Sequence, residues 1–252
     1  MRFKLGLPNN IFANMLASAL PREFFSFYYL SNSEILKGLV NGEIDIAIMP
    51  SLEILNENKL FVSRKLGVAF DGPLSDDYLY YAKNSLETLK LAGSTSMNEI
   101  LLSKILFKEN YETEVNLEVV ASPPEKFDEN YLVSGNENFD GALYEKGDSF
   151  AEHVANFLEA PYLKYIIVSL HKENIEMVHQ NVYAPESEIE ITFPTLLSTL
   201  GYDEKTIDFI KTNFDGLYFE LTQTEIDGFD EMRKLPFYYG LFEEVKDINF
   251  VE

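Results

Sequence analysis

Three places in this 252-residue chain put small polar residues where an apolar, strand-like run gives way to a helix-like pattern. They are Asn9-Asn10 after Arg2–Leu7, Pro50-Ser51 after Ile44–Met49, and Ser94-Thr95-Ser96 after Leu89–Ala92. In α/β sheets such junctions lie at the carboxyl edge of the strands, where ligands bind in the crevice. The free amides and positive dipole end of each following helix favour an anion there. Hydroxyl and carboxamide side chains add oriented donors without the desolvation cost of a lysine. Each junction taken alone also reads as an ordinary helix N-cap. Their recurrence points to a site for a small organic anion.

Other chemistry is poorly represented. With no cysteine, zinc-thiolate sites, disulfides and Cys nucleophiles are excluded. His153, His171 and His179 lack metal-ligand spacing with carboxylates and read as surface or packed residues, so neither a metal nor a cofactor is expected. Phosphate loops of the G-x-x-x-x-G-K or G-x-G-x-x-G kind do not occur. The adjacent pairs Asp76-Asp77 and Glu243-Glu244 read as solvated, and the aromatic group Phe24-Phe25, Phe27-Tyr28-Tyr29 reads as core. Tyr80 and Tyr81 face opposite ways in a strand, so one of them can line a cleft. A net charge of −22 argues against nucleic acid and against an anionic membrane surface, both of which need clustered Lys and Arg. Without an apolar h-region near Met1, the reading is cytoplasmic.

The elements that would position these residues alternate as βα units. Strands are expected at Arg2–Leu7, Phe25–Tyr29, Ile44–Met49, Lys65–Phe70 and Tyr78–Ala82, with helices at Ile11–Leu20 and Glu34–Val40. The pattern restarts after Lys83 with strands at Leu89–Ala92, Val115–Val120 and Phe139–Tyr144, and helices at Met97–Asn110 and Ser149–Leu158. Leu163–Leu170 is a last apolar strand. Helices follow from Thr192, and Glu186–Glu190 reads as a solvated connection. The restart predicts two lobes, each a mainly parallel sheet flanked by helices: residues 1–84 in lobe one, 85–168 in lobe two, and 169–252 returning to lobe one. Hinged two-lobe proteins close around a ligand held between the lobes.

The segment Leu36-x-x-Leu39-x-x-Gly42-Glu43-Ile44-Asp45-Ile46-Ala47-Ile48-Met49-Pro50-Ser51 resembles type II periplasmic-binding-protein folds. It is most similar to their cytosolic branch in the futalosine route to menaquinone, the chorismate dehydratases. Leu5–Asn10, Leu79-Tyr80-Tyr81-Ala82-Lys83, Ser94-Thr95-Ser96, Asp140-Gly141-Ala142-Leu143 with Gly147-Asp148, and Leu158-Glu159-Ala160-Pro161 fall in that family's order. The resemblance implies a lyase that eliminates water from chorismate, without a cofactor. Asn9 or Asn10 would sit at the reacting centre. Ser51, Ser94, Thr95, Ser96, Tyr81, Lys83 and Asp148 would contact the ligand. The family's Ser before the crossover Lys is Ala82 here, and alanine can neither donate a hydrogen bond nor relay a proton. Either Asn84, Ser85 or a tyrosine hydroxyl substitutes, or the chain is a non-catalytic solute-binding or sensor protein on the same scaffold.

Overall fold

The computed structural model describes residues 2–82, 86–182 and 185–252. Lys83, expected as a ligand contact, and Asn84 and Ser85, the proposed substitutes, lie outside the described residues. The chain begins with β1 (Phe3–Leu7), α1 (Ile11–Ser18), β2 (Phe25–Tyr29), α2 (Asn32–Val40) and β3 (Ile46–Pro50). A 3-10 turn at Ser51–Asn56 leads into β4 (Phe61–Phe70). Then come β5 (Asp77–Tyr80), β6 (Thr88–Gly93), α3 (Met97–Tyr111), β7 (Asn116–Val119), β8 (Tyr131–Ser134), β9 (Asp148–Ser149) and α4 (Phe150–Leu158). Strand β10 (Tyr162–Ser169) is followed by α5 (Lys172–Asn181), α6 (Pro185–Thr199), α7 (Glu204–Thr212), β11 (Leu217–Glu220), α8 (Gln223–Met232), α9 (Leu235–Tyr238) and β12 (Asn249–Val251).

Two sheets result. One has the order β11-β4-β10-β3-β1-β2, with β12 also on β4; the other has the order β7-β6-β8-β5-β9. Strand β5, read from sequence as part of the first lobe, belongs to the second sheet. The sheets are mixed rather than mainly parallel. Strand β10 runs antiparallel to β3 and β4, and β5 runs antiparallel to β8 and β9. The reason is connectivity: each of these strands enters from the other sheet, so no strand-helix-strand crossover within its own sheet obliges it to run parallel to its neighbours.

The residues of β3 and β10 are buried throughout, as expected of central strands covered on both faces. Helix α1 buries every residue but Ser18 and packs against α6. The aromatic run read as core is only partly so: Phe25 is buried, whereas Phe24, Tyr28 and Tyr29 are exposed, because β2 is the edge of its sheet. The strand expected at Phe139–Tyr144 is 3-10 turn, with Gly141 and Ala142 at φ 60° and 56°, values no strand accommodates. Glu186–Glu190 lies inside α6 instead of a connection.

Gly93 ends β6 at φ +80°, and a Cβ there would lie 2.1 Å from the Ser134 carbonyl oxygen. Only glycine lets the β6–α3 loop hug β8 so closely. Gly141 also has a positive φ, of +60°, but open space where its Cβ would be. Gly141→Ala should therefore cost about 1 kcal/mol from backbone strain alone, and Gly93→Ala at least about 2 kcal/mol. Urea unfolding of both variants checks the order; equal losses would show that the Ser134 contact is unimportant.

Candidate functional site

The seam between the two sheets is built around a lysine. Lys164 sits in β10, a strand buried along its whole length, and is itself 2% exposed. Its ammonium is bonded to Asp77 Oδ2 and lies 3.1 Å from Asp76 Oδ2 and 3.2 Å from Glu99 Oε1. Asp76 and Asp77 stand at the start of β5, and Glu99 stands in the first turn of α3, so the cluster joins the two sheets. The pairing of β10 with β4 slips between Leu163 and Tyr165, leaving Lys164 as the extra residue of a bulge. In a regular strand residues 164 and 165 would face opposite ways. The bulge re-aims them, and Tyr165 donates its phenol to the same Asp76 Oδ2, at 2.6 Å.

The charges are set by this geometry. Burial alone would lower the Lys164 pKa, but Asp76, Asp77 and Glu99 more than reverse that and hold it well above the ordinary value. Burial pushes the Asp77 carboxyl well up despite its bond to Lys164, and the Glu99 and Asp76 carboxylates add to the rise. Burial opposes ionisation of Glu99 too, yet Lys164 and hydrogen bonds from Ser96 hold it below the usual range. One cation therefore serves three carboxyl groups.

Around this core, each helix start that faces the seam is met by an oxygen from the other side. Asn10 caps α1 by accepting from the Phe12 and Ala13 amides at 2.8 and 3.1 Å, and its own amide donates to Asp76. The Ile11 amide donates to Asn136 Oδ1 at 3.1 Å, and Asn136 Nδ2 donates to the Asn9 carbonyl at 2.9 Å. At the turn after β3, the Leu52 amide donates to Asn98 Oδ1 at 2.9 Å. Asn98 Nδ2 in turn donates to the Tyr162 hydroxyl at 2.8 Å and to Ser51 Oγ at 3.2 Å, while Ser51 Oγ donates to the Leu163 carbonyl. At α3, Ser96 and Glu99 form a capping box, and the Met97 amide donates to Glu53 Oε1 at 3.1 Å. Asn32 Nδ2 donates to the Ser94 carbonyl at 2.9 Å across the rim. The buried atoms Asn32 Oδ1, Thr95 Oγ1 and Ser134 Oγ, all close to Ser94 along the chain or through its hydrogen bonds, have no hydrogen-bond partner among the described residues.

The structure thus brings Asn9, Asn10, Ser51, Ser94, Thr95 and Ser96 to one seam. Two other expected contacts lie elsewhere. Tyr81 shares a 3.1 Å hydroxyl contact with Tyr111, at the end of α3 roughly 20 Å from Ser96. Asp148 is exposed in β9, at the edge of the second sheet, because the short β9 pairs only with β5. The reading of Asp76-Asp77 as solvated is reversed: they are 1% and 0% exposed. A signal for this was present in Lys164, a lone charge inside the apolar run Tyr162–Ser169, since a buried lysine requires partners. His179 packs under β12, its Nε2 2.8 Å from Ser63 Oγ.

Lys164→Met should lower stability by about 3–5 kcal/mol at neutral pH, since it strands buried carboxylates without their cation. In the parent protein the raised Lys164 pKa gives stability that is complete below the ordinary lysine value and lost only as pH rises through the elevated one. The depressed Glu99 pKa gives stability present above the ordinary value and lost as pH falls through the lowered one. Removing the ammonium turns Glu99 into a group that favours protonation on burial, as Asp77 already is. The variant's deficit should therefore shrink between pH 8 and pH 5. Urea unfolding at the two pH values measures it, and a pH-independent deficit would contradict the charge assignment.

No protein-family model matches the sequence, and no curated protein matches it. Solved structures do resemble it. The periplasmic aliphatic sulphonate binding protein SsuA of Escherichia coli superposes with a TM-score of 0.63 at 12% identity, covering 98% of this chain and 90% of that one. Protein AF1704 of Archaeoglobus fulgidus gives 0.61 at 12% identity, covering 96% and 98%. The Candida albicans CA3427 gene product, described as exhibiting the generic periplasmic binding protein structural fold, gives 0.59 at 12% identity, covering 97% and 92%. At such identity the likeness carries the fold alone. The chain has the two-lobed α/β fold of the type II periplasmic binding proteins, the fold that its sequence resemblance implies.

Proposed function

We propose that this protein binds a small organic anion, a carboxylate such as chorismate, in the cleft that opens along this seam. The observation that supports the reading is the occupation of the helix starts. Asn136, Asn98 and Glu53 each place an oxygen on an amide at the start of α1, the Ser51 turn or α3. A carboxylate entering as the lobes part would take over those donors, and the positive end of the α1 and α3 dipoles with them. Glu53 already does this for one amide, and burial pushes its carboxyl up. The sulphonate named for SsuA is likewise an oxyanion, which agrees in charge with this choice. The −22 charge of the chain slows entry without cancelling donors at contact distance, since that charge is screened within about 8 Å.

A second reading, a chorismate-dehydratase-like lyase, is favoured by one observation. Asn10, a candidate for the reacting centre, donates directly to Asp76, which also accepts the Tyr165 phenol. A carboxylate joined to a phenol supplies both a proton acceptor and a proton donor for an elimination. Against it stands Ala82, whose backbone amide only tethers the strand end to Asn130 Oδ1 at 3.0 Å. Binding without turnover is the reading preferred here.

Calorimetric titration with chorismate, together with ultraviolet monitoring of the same mixture, separates the two. Saturable binding with an unchanged spectrum is expected, and loss of chorismate absorbance would install the lyase reading instead. Thr95→Asp should weaken carboxylate binding at least about tenfold by setting a like charge at the start of α3, with circular dichroism of the variant checking that it folds. Ser51→Asp is unsuitable for the purpose, since the Ser51 hydroxyl is fully buried against Leu163. Glu53→Ala should have the opposite effect and tighten binding several-fold, by vacating the Met97 amide. Weaker binding by Glu53→Ala would argue that the ligand does not reach α3.

A further inference from the structure

A separate cavity of about 280 Å³ lies on the flank of α3, away from the seam, where the segment after α9 crosses it. Its polar wall carries Lys104 and Lys108, one helical turn apart on α3, so their Cβ atoms are about 6 Å apart and both ammonium groups can reach one bound group. In a chain with 42 acidic residues against 20 basic ones, lysines find carboxylates readily. Yet among the described residues neither of these is in an ion pair. Lys108 instead lies 5.8 Å from the centre of the Tyr239 ring, and Glu114 lines the cavity. Burial first, then Glu109 beside the phenol, push the Tyr239 pKa up to about 12. The apolar wall is Ile105, Val115 and Leu241.

We infer that this cavity is a second ligand site, for a small monoanion with an apolar body. Against the two ammonium groups stand Glu114 on the wall and Glu109 beside the Tyr239 phenol, so no excess of positive charge is left to hold a dianion. Leu241 is exposed, so an apolar body placed between it and the Tyr239 ring removes apolar surface from water, with the buried Ile105 and Val115 as the floor. The volume suits a molecule of about the size of benzoate. The walls come from α3 of the second sheet's lobe and from the segment after α9, so a bound molecule would touch two parts of the chain that are far apart in sequence.

The test uses benzoate as the probe on the full chain, followed by two-dimensional amide NMR, with benzyl alcohol and inorganic phosphate as the other arms. Saturable shifts confined to Lys104–Val115 and Tyr239–Leu241 are expected with benzoate, and weaker or no shifts with the other two. The double variant Lys104→Ala/Lys108→Ala alters only exposed side chains. It should weaken benzoate binding about tenfold or more, and added salt should weaken it in the parent protein. The inference is overturned if benzoate gives no saturable shifts, if benzyl alcohol or phosphate binds as well, if the shifts fall at the Ser94 seam, or if the double variant binds within twofold of the parent.

Discussion

Much of this structure depends on one buried ammonium. Lys164 cannot remain in the interior of a fully buried strand unless carboxylates come to it, and the desolvation of an isolated charge there would exceed what any other local contact returns. Asp76 and Asp77 reach it from the start of β5 and Glu99 reaches it from α3. Because those groups come from the second sheet while Lys164 comes from the first, satisfying the charge also sets how the two sheets meet. The bulge in β10 is part of the same solution, as it lets Lys164 and Tyr165 address one carboxylate.

The seam is consequently polar, and most of its groups bond to one another across it. Its amides at the starts of α1, α3 and the Ser51 turn are held by Asn136, Glu53 and Asn98. An opening motion would expose donors whose present partners are neutral amides at two of the three positions. Those are cheap to exchange for a ligand oxygen, because a charged acceptor makes a stronger bond than a carboxamide. The quartet around Lys164 is different. Its members are ion-paired with one another, and separating them would leave charges unpaired in a low-dielectric setting. Any parting of the lobes around the proposed ligand would have to leave the quartet intact, with the rim at Asn9, Asn32, Ser94 and Thr95 as the part that changes partners.

The flank cavity is held by weaker forces. Lys104 and Lys108 are exposed, and solvent, Glu114 and the Tyr239 ring relieve their mutual repulsion. That cavity and the seam share α3 but use different parts of it: its first turn at the seam, and its middle and end at the cavity.

The amino-acid order by itself determined the βα units, because a 3.6-residue apolar period and short β-branched runs are local properties. It also marked the three strand-to-helix junctions, since capping residues are chosen by the backbone next to them. Chain order could not reveal the sheet membership of β5 or the antiparallel course of β10, because pairing direction is a property of two distant segments. Tyr81 and Asp148 were misplaced for the same reason: a residue's neighbours along the chain do not say which sheet edge or helix end it meets. Asp76-Asp77 shows the point most sharply. An adjacent acidic pair is ordinarily solvated, and only the arrival of Lys164 from 87 residues away makes its burial favourable. That coupling of charge across the seam was decided by the tertiary structure alone.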